Sequence, residues 1–182
     1  MKRILTTFIL LILSLPVYAQ KEAADRRANT PVEPFQIIGN IYYVGAAEVT
    51  SFLITTPKGH ILLDGGFVET AAQIKENIKK LGFKLEDVKF LLNSQSHFDH
   101  AGGLAELKKS TNAKMLASEA DKISLENGGK DDFHFGDTLP YEPVKVDKII
   151  KDDDRIKLGG VSLKAVLTPG HTRGCTTLDD DR

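Results

Sequence analysis

"LLNSQSHFDHAGG", residues 91–103, places two histidines, an aspartate, a glutamine and two glycines within the eleven residues that follow an apolar pair. Loops collect polar side chains, but seldom so many that can bind a metal. Leu91 and Leu92 close the run "VKFLL", which reads as a buried strand. A loop rooted at the end of such a strand has its backbone fixed by the sheet. His97, Asp99 and His100 can then be aimed into one space with little loss of entropy on binding. Imidazole and carboxylate are the ligands that zinc favours in near-tetrahedral sets. In a bent loop these neighbours can also diverge toward two adjacent sites. Gly102 and Gly103 permit tight packing beside the helix that "LAELKK" begins. His171, in "TPGHTRGC", is a further candidate. Pro169-Gly170 turn the chain after the apolar strand "VSLKAVL" and leave His171 on a loop at a second strand end, where it can complete a first site.

Outward from this loop the chain alternates between strands and helices. "FQIIGNIYYVG" reads as two short strands about a Gly39-Asn40 turn, and "VTSFLITT" as a third. Pro57-Lys58-Gly59 turn it into "HILLD", with His60 expected as a solvated turn residue. Asp64 ends that strand and Gly65-Gly66 bend the chain. "ETAAQIKENIKKL" has Ala71, Ile74, Ile78 and Leu81 on one face and Lys75, Lys79 and Lys80 off it, so it is a helix, stopped at Gly82. "AKMLAS" is a strand. "SEADKISLEN" is a helix with Ser118 as its N-cap and Asp121 at its third position, ended by Gly128-Gly129. After the loop "DDFHFGDTLPYEP" come the strands "KVDKII", "RIKL" and "VSLKAVL". The acidic turn "KDDD" lacks the spaced ligands and closing Glu of a calcium loop and reads as a solvated turn. The order predicts an α/β fold with helices packed on sheet faces.

With 24 basic and 25 acidic residues among 182, the chain has no global bias toward nucleic acid or an acidic membrane. Its start reads as a secretory signal peptide over residues 1–19. Lys2 and Arg3 precede a mostly apolar stretch and small residues lead up to the cut. That stretch falls short of the roughly 20 residues needed to span a bilayer. The expectation is a secreted or periplasmic protein with no membrane anchor after cleavage. The absence of a cysteine near the cut speaks against a lipoprotein. Residues 20–34, polar and holding Pro31 and Pro34, read as a flexible leader, and residues 35–182 as one domain. Cys175 is the single cysteine, so no internal disulfide forms.

Together "SQSHFDHAGG", "LLDGG" and "TPGHTRG" resemble the metallo-β-lactamase superfamily, and "DDFHFGDTLPYEPVKVDKII" and "TPGHTRGCTT" resemble its subclass B3 β-lactamases. The resemblance implies a four-layer αββα sandwich with one or two zinc ions at the edge between the sheets. It implies that Gln95, His97 and His171 hold the first zinc, and that Asp99 and His100, with a later histidine, hold the second. Asp64 would buttress the loop by hydrogen bonding, as partners of metal ligands do; read on its own, it is a turn aspartate. The implied activity is hydrolysis of the β-lactam ring of antibiotics, a small-molecule substrate. A metal-bound hydroxide would attack the carbonyl, with Asp99 orienting it. A thioesterase or lactonase of the same superfamily is the alternative enzyme, since one fold serves many substrates.

Two departures stand out. Gln95 occupies a position where most members have histidine, although some subclass B3 relatives carry glutamine. A neutral amide oxygen is a harder and weaker zinc ligand than an imidazole nitrogen, which predicts a weaker first site. The second departure follows "GCTT", where the chain reads "LDDDR". No histidine follows His171, so the sequence reads as a chain truncated before the late ligand. A frameshift would explain it: the string TTGGACGATGAC encodes Leu-Asp-Asp-Asp in one frame and, read one base along, gives Trp-Thr-Met, which family members often have here. The truncated chain is then expected to be a poor enzyme or an inactive product.

Overall fold

The computed structural model describes residues 27–130 and 132–180. A seven-stranded sheet runs in the order β1 (Phe35–Ile38), β2 (Ile41–Tyr43), β3 (Phe52–Thr56), β4 (Gly59–Leu63), β5 (Val88–Leu92), β6 (Lys114–Ser118) and β7 (Lys148–Ile150). The first four strands form an antiparallel meander, and β4 to β7 are parallel. Parallel neighbours need crossovers. These are α1 (Thr70–Lys80), the pair α2 (Phe98–Ala101) and α3 (Leu104–Thr111), and α4 (Glu119–Asn127). A second sheet holds β8 (Arg155–Leu158), β9 (Val161–Leu167) and β10 (Thr176–Asp180), with β9 in the middle.

Side chains alternate across a strand, and here both faces of the large sheet are apolar. Leu53, Leu62, Leu91 and Met115 point to one face, where they meet Ile74 and Ile78 of α1, Leu104 and Leu107 of α3 and Leu125 of α4. Their chain neighbours Ile54, Ile61, Leu92 and Leu116 point to the other, where they meet Ile156, Val161, Leu163 and Ala165 of the small sheet. This is why "ILL" (61–63) and "FLL" (90–92) are unbroken apolar runs, as strands covered on both sides are. The layers are helix, sheet and sheet, three of the four expected, and among the described residues the helices all pack on the large sheet's outer face.

Most elements lie where the sequence puts them, including the Ser118 cap, whose hydroxyl accepts the Asp121 N–H at 3.2 Å. The turn after β7 uses its carboxylates internally: Asp154 accepts the Lys151 N–H, Asp152 the Leu167 N–H, and Asp153 pairs with Lys164. His60 is a correction. It lies inside β4, 7 % exposed, with Phe83 set edge-on to its ring at 5.1 Å, because the strand already starts at Gly59. Of the leader, residues 27–34 lie against the body: Ala47 and Glu48 donate to the Thr30 and Ala28 carbonyls, and Thr70 donates to Asn29. Residues 1–26, with the signal peptide, lie outside the described residues. Among the described residues no helix is long and apolar enough to cross a membrane.

Close packing of the bends after β4 and β5 sets the active edge. Gly103 N donates to the Gly66 carbonyl, and a methyl on Gly103 would stand 2.3 Å from the Gly65 carbonyl oxygen. Backbone would have to move to admit it. Gly103→Ala is therefore expected to lower stability by about 1–3 kcal/mol, measured by urea unfolding. An unchanged midpoint would show that the two bends do not meet this closely.

Candidate metal centre

The parallel run of β4, β5 and β6 brings the bends after them to one edge of the large sheet. The small sheet adds the loop after β9. Its backbone is tied across by Thr176 N, which donates to the Ser94 carbonyl at 2.8 Å, and by the Gly174 carbonyl, which accepts the Ser118 hydroxyl at 2.9 Å. The loops that carry the residues singled out as candidate ligands thus lie at one edge, although they come from two sheets.

Asp64 organises half of it. Its carboxylate is 2 % exposed and its backbone adopts a left-handed φ of 63°. One oxygen accepts the Ser94 N–H at 2.7 Å and the Asn93 side-chain amide at 3.2 Å. The other accepts the Ser94 hydroxyl at 2.6 Å and lies 2.9 Å from His100 Nδ1. Asp64 is thus more than a turn residue. With Nδ1 engaged, His100 presents Nε2 toward Asp99, whose Oδ2 is 3.7 Å away. Burial opposes a charge on His100, but the hydrogen bond and charge of Asp64, helped by Asp99, outweigh it and hold the pKa above its ordinary value.

His97 lies in the opposite environment. Burial is the largest influence and pushes its pKa down, against the pull of Asp132. The ring is neutral, as a metal ligand must be. Its Nδ1 lies 3.0 Å from His171 Nε2, and its Nε2 lies 3.3 Å from Asp132 Oδ2 without making a hydrogen bond. Phe135 sits edge-on against the ring at 4.9 Å. Two nitrogens on one tetrahedral zinc, with bonds of about 2.0–2.1 Å, stand about 3.3 Å apart. The converging pair of His97 and His171 fits that ion. Gln95 does not yet join them: its Oε1 accepts the His97 backbone N–H at 2.8 Å. The ligands pair off in twos, and among the described residues no three His, Cys, Asp or Glu side chains converge on one point.

Sequence reasoning missed three participants. Asp132 faces His97, and its other oxygen accepts the N–H groups of His134 and Phe135 at 2.8 Å each. Burial opposes its charge, but those two donors prevail and hold its pKa below the ordinary carboxylate value. Asp121, read only as a helix-start acid, is buried and accepts the Ser96 hydroxyl at 3.0 Å. Tyr141 donates to the Ser96 carbonyl at 2.7 Å. The one available signal was the density of acid, histidine and aromatic residues in "DDFHFGD", which marks a loop but not its destination.

A family model described as the metallo-beta-lactamase superfamily matches residues 44–182. The fold is similar to that of a subclass B3 metallo-β-lactamase of Bradyrhizobium japonicum, at 44 % sequence identity and a TM-score of 0.82, over 86 % of this chain and 60 % of that one. It is also similar to a class B3 di-zinc metallo-β-lactamase from an Alaskan soil metagenome, at 42 % identity and a TM-score of 0.81, over 86 % of this chain and 61 % of that one. Among curated relatives, a hydroxyacylglutathione hydrolase of Rhodopseudomonas palustris is 32 % identical over 62 % of this chain and 36 % of its own length. The chain therefore spans about 60 % of the length of the two structures and about a third of that curated relative.

The Asp64–His100 pair has a pH signature. Because the folded pKa of His100 is raised, its pair with Asp64 contributes stability that is complete below the unfolded value of about 6.5 and is lost as pH rises through the folded value. Asp64→Asn ends that contribution and leaves buried donors poorly matched, at a cost of about 1–3 kcal/mol. In zinc-free protein the stability gap between parent and variant should be wider below about pH 6 than above about pH 8. Urea unfolding at both values measures it, and a gap independent of pH would show that the pair carries no charge.

Proposed function

The chain belongs to the metallo-β-lactamase superfamily, and from that premise we propose that it is a zinc-dependent hydrolase that opens the β-lactam ring. What carries the β-lactam reading over its siblings is degree of likeness: 44 % and 42 % identity to subclass B3 structures over 86 % of the chain, against 32 % over 62 % for the thioester-cleaving name. In this reading His97 and His171 hold one zinc, with Gln95 joining them, and Asp99 and His100 contribute to a second. Zinc, when bound, supplies the Lewis acidity that makes water a nucleophile near neutral pH.

The chain's own residues supply the rest. The two serines of the loop serve its structure: Ser94 Oγ donates to Asp64, and the buried Ser96 Oγ donates to Asp121. In this reading water is the nucleophile. Asp99, with its side chain 39 % exposed, is the one loop carboxylate open to solvent, so its Oδ2 can accept a hydrogen bond from that water and keep it aimed. Phe135 covers one edge of His97 and keeps bulk water from its ring. The exported location read from residues 1–19 belongs to the same proposal, since β-lactam antibiotics act outside the cytoplasm. A second reading, thioester hydrolysis, is favoured by the name of the curated relative.

The test is to load the protein with zinc and assay a chromogenic cephalosporin, a hydroxyacylglutathione thioester and a lactone in parallel. Cephalosporin turnover is expected to lead, to vanish on exhaustive chelation, and to be largely lost in His97→Ala and His171→Ala. Turnover that survives chelation overturns the zinc reading; faster thioester cleavage favours the second reading. Gln95→His is expected to tighten zinc binding, because imidazole nitrogen suits zinc better than an amide oxygen. Zinc titration measures it, and equal or weaker affinity would remove Gln95 from the ligand set.

A further inference from the structure

Asp121 is a buried carboxylate that the chemistry above does not use. It stands at the third position of α4, where an acid ordinarily serves the helix end and faces water. Here it is 2 % exposed. Its Oδ1 accepts the hydroxyl of Ser96, the residue between Gln95 and His97. Its Oδ2 is buried without a hydrogen bond among the described residues, and burial is the largest influence on its pKa, pushing it up. The approach is close: a Cβ on Gly174 would lie 2.6 Å from Asp121 Cγ, 2.5 Å from its backbone nitrogen and 2.2 Å from Ser118 Oγ. Ser118 Oγ, which accepts the Asp121 N–H, also donates to the Gly174 carbonyl at 2.9 Å. The start of α4 therefore grips the loop 172–174 on one side and residue 96 on the other. His171 and His97 are the immediate neighbours of those gripped residues, and their ring nitrogens converge to 3.0 Å.

We propose that Asp121 is a positioning residue for the first metal site, tying the loop that carries His97 to the loop that carries His171. The inference rests on the zinc reading of the site. The two loops belong to different sheets and share one backbone bond, from Thr176 N to the Ser94 carbonyl, rather than a ladder. The carboxylate adds to that bond through the Ser96 hydroxyl it accepts and its close packing against Gly174. Asp64 has the matching task for the second site, where it fixes His100 directly. Each pair of ligands thus has its own buried carboxylate, and losing one should disturb one site and spare the other.

The test compares the parent with Asp121→Asn and Ser96→Ala. Zinc affinity is measured by competition with a chromophoric chelator, and the imidazole signals of His97, His171 and His100 are followed by NMR during zinc titration. Asp121→Asn is expected to weaken zinc binding at His97 and His171 about 10- to 100-fold, while the His100 response is unchanged. Ser96→Ala should shift affinity in the same direction by less. A purely structural role would lower the melting temperature and leave the folded protein's affinity, and the contrast between the histidines, as in the parent. Parental affinity in folded Asp121→Asn overturns the proposal, and if that variant fails to fold, parental affinity in Ser96→Ala overturns it. A parent that binds no zinc overturns the zinc reading and this inference with it. Equal weakening at His100 overturns the selectivity claimed for Asp121.

Discussion

The large sheet is covered on both faces, and the rest of the structure follows from that. Once Leu53, Leu62, Leu91 and Met115 are committed to the helices, and Ile54, Ile61, Leu92 and Leu116 to the second sheet, the middle of the strands leaves little room for polar groups. Buried polar groups must be hydrogen-bonded, so they gather where the strands stop. The parallel order of β4, β5 and β6 makes the strands stop at the same edge. The small sheet lies on one face of that edge, which brings the loop after β9 into reach. The site exists where two apolar cores end together.

Much of this was legible in the chain. Apolar periods of two and of about 3.6 located the strands and the amphipathic helices, and the turn residues bounded them. Ser118 and Gly82 could be placed because caps depend on neighbours a few positions away. The candidate ligands could be singled out because several sit within one short loop. Long-range placement was hidden. His60 follows a turn tripeptide and looks solvated, but Phe83, distant in sequence, covers it. Asp121 obeys the local rule for helix starts, and only the fold shows that its carboxylate is turned toward Ser96. Asp132 sits in a loop whose composition says nothing of the histidine it will face.

The two histidines of the loop illustrate how environment divides chemically identical groups. His97 loses water without gaining a hydrogen-bonded anion, so burial prevails and the ring is neutral. His100 loses water too, but Asp64 at 2.9 Å more than offsets it. Zinc binds the neutral ring. His97 meets that condition in the folded chain, whereas at His100 a proton competes with the metal for Nε2. The carboxylate that orients His100 also stabilises its charged form, and the same attraction would hold an ion of higher charge once the proton has left. Positioning and competition therefore come from one residue.

Gln95 poses the sharper conflict. Its amide oxygen accepts the His97 N–H at 2.8 Å, a bond that shapes the loop and is buried from water. The same oxygen is the atom that would reach a zinc shared by His97 and His171. A carbonyl oxygen has two lone pairs, so the two roles are compatible only if the metal lies off the line of the N–H bond. Otherwise ligation must break that bond and leave a buried donor unpaired, at a cost of about 1–3 kcal/mol. A histidine at this position faces no such choice, since its backbone shapes the loop and its ring is free to bind. As a zinc ligand Gln95 would therefore be handicapped twice: by a harder donor atom, and by one already engaged before the metal arrives.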